Sequence, residues 1–195
     1  MSQLPFHQIR AVFDEDTVTV YQAYSASIAD AAVETGRFVA PFKRERMTWI
    51  KPSFLWMMYR CGWATKPGQE RVLAIRMTRS GFEEALSLAS LSHFDPDVYA
   101  SPEAWQLRKT ESPVRVQWDP ERDSSLAPLP WRSIQIGLGR GVVDRYVDEW
   151  IVDLRDVTPL VEDLRSRRPA DRRVDLPAEG PYPLPAAVAA LVGAT

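Results

Sequence analysis

Residues 17–24, Thr-Val-Thr-Val-Tyr-Gln-Ala-Tyr, alternate with a period of two, as a strand with two distinct faces requires. Val18, Val20, Gln22 and Tyr24 point one way; Thr17, Thr19, Tyr21 and Ala23 point the other. The spacing then turns helical. Ser25 or Ser27 can accept the free N–H bonds at the start of that helix, and Gly36 suits a left-handed stop. A second strand is predicted over 46–51, followed by an apolar helix opened near Pro52 and halted by Gly62. Residues 71–78 read as a third strand, and Ser80 with Glu83 has capping-box spacing before the next helix. Ser101-Pro102-Glu103 opens a short helix, and strands at 114–118 and 132–138 flank a Pro-rich loop as hairpin-like neighbours. A helical stretch follows Gly141, a last strand covers 150–157, and Thr158-Pro159 opens a further helix.

About six strands and about five helices are therefore expected, an α+β domain with a mixed, mostly antiparallel sheet over residues 1–167. Residues 168–185 lose all periodicity and hold five prolines among clustered arginines. They read as an extended tail lying on the domain or partly free, with a short docking helix at its end.

Composition narrows the function classes. A length of 195 residues suits one core. A net charge of −2 gives no whole-molecule field toward nucleic acid or anionic lipid, though a local basic groove is compatible with it. The single cysteine, Cys61, cannot form an intramolecular disulfide, and among Met57, Met58 and Trp63 it reads as a small buried hydrophobe. No run reaches the ~20 apolar residues of a membrane helix, and no signal peptide is visible, so a cytoplasmic protein is expected. His7 and His93 lack companions at ligand spacing, so no metal is expected. The Gly-Leu-Gly-Arg-Gly segment is no dinucleotide fingerprint, and neither a phosphate-binding P-loop nor a nucleophile elbow is present.

The residues richest in chemistry lie between Val20 and Trp56. Gln22 is an amide in a strand of apolar neighbours. Thr48, Trp49, Ser53 and Trp56 pair hydroxyls with aromatic rings, and Arg46 and Lys51 flank them with charge that can meet a pyrophosphate. The order of a strand ending Val-Tyr-Gln-Ala-Tyr, a helix ending at Gly36, and the strand Arg-Met-Thr-Trp-Ile-Lys-Pro-Ser feeding a helix resembles the front half of an ADP-ribosyltransferase domain. Tyr-Val-Asp-Glu-Trp-Ile-Val at 146–152 is similar to the segment that begins the strand bearing the catalytic glutamate in the poly-ADP-ribose polymerase branch. That resemblance implies an ADP-ribosyltransferase-like fold and a nicotinamide dinucleotide (NAD) as donor. The acceptor would be a protein, nucleic acid or small molecule.

It also implies roles. Glu149 becomes the catalytic carboxylate, assisted by Gln22, with Arg46, Thr48, Lys51, Ser53 and Trp56 binding the cofactor. Cleavage of a nicotinamide–ribose bond builds positive charge at the anomeric carbon, which a fixed carboxylate stabilises. Gln22 stands where that family has His or Arg, and Ala23 where it has Gly. The chain also resembles a domain-of-unknown-function family with the same Arg-Met-Thr-Trp-Ile-Lys-Pro-Ser strand.

Two other readings stay open. One is a non-catalytic nucleotide- or RNA-binding module that uses Arg46, Lys51, Trp49 and the arginine-rich tail. The other is a structural partner protein whose tail docks elsewhere. Residue by residue, a structural hydrogen bond explains Gln22, a solvated charge explains Glu149, and core packing explains Trp56.

Overall fold

The computed structural model describes residues 4–139 and 141–195. All six expected strands are present. They are β2 (Thr17–Tyr24), β3 (Thr48–Ile50), β4 (Arg71–Thr78), β6 (Val114–Arg122), β7 (Pro128–Leu138) and β8 (Ile151–Asp156). Three short ones join them, β1 (Arg10–Ala11), β5 (Ala89–Leu91) and β9 (Gly180–Pro181), too brief to show a periodic signal. The helices are α1 (Ala26–Thr35), α2 (Phe54–Cys61), α3 (Arg79–Ser87), α4 (Pro102–Glu111), α5 (Val142–Arg145), α6 (Thr158–Ser166) and α7 (Ala186–Val192). The class is α+β, with pairing antiparallel except between β5 and β6. No helix among the described residues is long and apolar enough to cross a membrane.

Apart from the short β1–β9 pair, the strands divide into two larger sheets. One has the order β2-β4-β8 and the other β3-β7-β6-β5. They meet at a single point, where Tyr21 and Lys51 pair across the seam: Tyr21 N–H donates to Lys51 C=O at 2.7 Å and Lys51 N–H returns to Tyr21 C=O at 3.3 Å. The two faces of β2 serve different cores. Val18 and Val20 enter the main core. Tyr21 packs into a second cluster with Phe54, Met57, Met58 and Cys61 of α2 and Val161 and Leu164 of α6. Cys61 is therefore the buried hydrophobe its neighbours suggest.

Helix α2 forms where the sequence predicts it. Ser53 accepts from Trp56 N–H at 3.2 Å, and Gly62 takes the left-handed conformation (φ 61°) that ends it. Strand β3 is shorter than expected, because Arg46 and Met47 lie in the preceding turn. The stretch after α5 tightens into a π-helical turn, Tyr146–Trp150, so Trp150 precedes strand β8. The Trp150 ring lies against Gly81 of α3, where a Cβ would come within 2.4 Å of it.

The segment 168–195 lies on the domain and ends in helix α7. Arg172 is buried and donates to the backbone carbonyls of Leu164 and Ser124, each at 2.8 Å, and of Arg165 at 3.2 Å. Its guanidinium also lies over the Trp63 ring. β9 pairs with β1, the Tyr182 hydroxyl donates to Glu83 at 2.7 Å, and Val192 of α7 is buried. Composition alone could not reveal these positions, because the contacts to Ser124, Glu83 and β1 join residues far apart in the chain.

Candidate functional site

Beyond the Tyr21–Lys51 bridge the sheets part, and the end of β2, the 41–47 loop and β3 enclose a cleft of about 440 Å³. Gln22 is the hub of its floor. The residue is 2% exposed, and its Nε2 lies 2.6 Å from Thr48 Oγ1, 2.8 Å from Tyr24 Oη and 3.2 Å from the Trp49 carbonyl. Its Oε1 accepts from the Tyr146 hydroxyl at 2.9 Å, and Tyr24 and Thr48 close the ring at 2.8 Å. A polar group this deep must be satisfied, and here both the nitrogen and the oxygen of the amide have partners. The network locks the floor. Burial pushes the Tyr24 phenol up to about 12 and raises that of Tyr146 as well, so both hydroxyls stay protonated.

Lys51 is different. It lines the same cleft at 5% exposure, yet among the described residues its ammonium makes only one long hydrogen bond, 3.4 Å to the Trp49 carbonyl, and sits 5.4 Å from the Trp56 ring centre. Burial pulls its pKa down to about 7; the Arg60 guanidinium acts the same way, and Asp119 opposes it. Lys43 and Arg46 stand exposed on the rim, while Arg60 closes one side and donates to Gln69 at 3.2 Å. Phe42 and Trp49 supply aromatic surface. No carboxylate is among the described residues that line the cleft. Arg44, next to the rim, is instead taken up by Asp148 and Asp144.

Of the residues singled out by sequence, Gln22, Thr48, Lys51 and Arg46 therefore converge. Ser53, Trp56 and Glu149 do not line the cleft. Ser53 instead caps α2 and donates to Glu121 Oε1 at 2.9 Å. Trp56 is 5% exposed, packed behind Lys51, and its indole N–H has no partner among the described residues. Glu149 lies on the outer side of the π-helical turn, 59% exposed, 3.4 Å from Arg145, which is itself held by Glu84. That segment reaches the site through Tyr146 instead.

Tyr146 was legible in principle. Val142, Val143, Tyr146, Val147 and Trp150 recur at helical spacing and are all buried, and a buried phenol needs a partner. The sequence also gave no sign of Glu179, which arrives from the tail and accepts from Phe54 N–H at 2.7 Å at the start of α2. Among the described residues no cluster of His, Cys, Asp or Glu could hold a metal ion.

The fold and cleft define an α+β protein built around a basic, aromatic pocket at the seam of two sheets. The chain belongs to a family described as a domain of unknown function, DUF4291, whose model matches residues 8–182. That match takes in the seam, both sheets and most of the docked tail. No curated protein matches the chain.

Proposed function

We propose that the cleft binds a phosphate-bearing nucleotide, with a nicotinamide dinucleotide or its ADP-ribose moiety as the preferred class. One observation carries this reading: cations on rim and floor (Lys43, Arg46, Arg60 and Lys51) surround aromatic walls without a lining carboxylate. Guanidinium groups match phosphate oxygens in charge and geometry, and Trp49 and Phe42 offer surface for a flat ring. The choice of donor follows the sequence resemblance carried by residues 20–56, the stretch that forms the end of β2, α1, β3 and the start of α2.

Transfer chemistry through Glu149 is not what this geometry favours, because that carboxylate points away from the cleft. Catalysis, if the donor is consumed, would fall to groups on the floor, and the acceptor stays undefined. The nucleic-acid alternative loses Arg172 of the tail, which is buried, and Arg167 just before it, which is paired with Asp163 and Asp175.

Calorimetric titration tests the reading. NAD, ADP-ribose and ATP should bind at least tenfold more tightly than adenosine or nicotinamide, with affinity falling as salt rises. Arg46→Ala combined with Arg60→Ala should weaken NAD at least tenfold. Equal affinity for adenosine and NAD would remove the phosphate site. Nicotinamide release by the wild type that disappears in Glu149→Ala would restore that residue's catalytic assignment.

A further inference from the structure

The chain has four lysines, and their surroundings differ sharply. Lys66 donates to the Arg60 carbonyl at 2.8 Å. Lys109 donates to the Ser92 carbonyl at 3.1 Å and lies over the Trp105 ring. Lys43 is exposed on the rim. Only Lys51 combines burial, a position on the cleft wall and a nearly unengaged nitrogen. Its backbone is fixed by the two hydrogen bonds of the seam, so the amine is presented from a rigid point.

We propose that Lys51 is a nucleophile that forms an imine with the free aldehyde of a phosphorylated aldose, ADP-ribose foremost, held in this cleft. The proposal rests on the reading of the cleft as a site for phosphorylated ligands, and adds to it the reacting group and the function it attacks. The phosphates would engage Arg46 and Arg60, leaving the open-chain sugar carbon to reach the floor.

The groups that face Lys51 favour a free electron pair. Burial penalises the ammonium most and Arg60 repels a second positive charge, and these outweigh Asp119 and Cys61, which act the other way. A substantial fraction is therefore the neutral amine near pH 7, the form required for attack. Nζ adds to the aldehyde carbon and a C–N bond forms. The resulting carbinolamine loses its hydroxyl oxygen as water together with the two hydrogens originally on the amine. A C=N bond remains, and no electrons are gained or lost overall.

The test is reductive trapping. The full chain is incubated at pH 7 with ADP-ribose and sodium cyanoborohydride, then digested for mass spectrometry. Lys51 should carry the reduced adduct at least tenfold above Lys43, Lys66 or Lys109. Ribose lacking phosphate should label it at least tenfold more slowly, and the rate should rise as pH passes through about 7. Lys51→Arg, checked for folding by circular dichroism, should lose that adduct and keep the background on the other three. Uniform labelling of all lysines overturns the proposal. Thermal stabilisation by ADP-ribose without an adduct at Lys51 overturns the imine while leaving the nucleotide cleft intact. Labelling of Lys51 by ribose as fast as by ADP-ribose overturns the phosphate reading instead.

Discussion

Lys51 and Ser53 are two residues apart at the β3–α2 junction, and charge-bearing groups are buried around each in a different way. On the Lys51 side a lone amine lies at the floor of an open cleft with one weak contact. On the Ser53 side Glu121 and Glu179 are enclosed. Glu121 accepts from Ser53 and from Arg122 N–H at 2.8 Å, and Glu179 accepts from Phe54 N–H, while Arg10 donates to the Glu179 carbonyl at 2.9 Å. Burial drives both sides toward neutrality: Lys51 down to about 7, Glu179 up to about 8 with Glu121 adding repulsion, and Glu121 itself upward. The difference lies in the partners. The acidic side spends its hydrogen-bonding capacity on capping α2 and fastening the tail, whereas the basic side leaves its capacity facing a ligand-sized space.

The strongest way to break this contrast is Lys51→Met. Removing a buried, poorly partnered amine should stabilise the fold at pH 6 by about 2–4 kcal/mol in urea denaturation while abolishing aldehyde trapping. The pH dependence has a definite sign. Between about 7 and the ordinary 10.5 the unfolded chain holds a proton at Lys51 that the native chain lacks, so wild-type stability gains from this group as pH rises through that window. Lys51→Met should lose that gain. A variant less stable than wild type at pH 6 would mean the amine is satisfied after all.

Glu179→Ala comes next. It leaves Phe54 N–H buried without an acceptor and loosens the tail, for about 1–3 kcal/mol of destabilisation. Here the sign is reversed. From the ordinary 4.5 up to about 8 the native chain keeps a proton the unfolded chain has lost, so this group's contribution declines as pH rises. Glu179→Gln should keep the acceptor, flatten that decline and be more stable than wild type at pH 9 by thermal melts.

Ser53→Ala should cost about 1–2 kcal/mol through the lost cap and the Glu121 contact, without changing NAD affinity more than twofold. A tenfold loss of affinity would return Ser53 to the binding site. The smallest effect belongs to Glu149→Ala, within about 0.5 kcal/mol, because its ion pair with Arg145 is exposed.

Much of the fold was legible along the chain. The alternation of 17–24 separated the two buried faces of β2, and Ser53 and Gly62 marked both ends of α2, because strand faces and helix caps are local properties. The site was half legible. Gln22 stood out as an amide among apolar neighbours, and Thr48, Lys51 and Arg46 fell near it in sequence and in space. Glu149, singled out because its flanking letters resemble a motif, lies in a π-helical turn that no short pattern announces and is not among the cleft-lining residues.

The sequence by itself determined the α+β class, the six principal strands and the polar cluster that became the cleft floor. Tertiary structure decided which residues around the β3–α2 junction line the cleft, that Tyr146 rather than Glu149 reaches Gln22, and that the tail is docked through Arg172, Glu179 and Tyr182. Those outcomes depend on pairings between residues far apart in the chain, where hydrogen-bond satisfaction and burial are settled only once the two sheets meet.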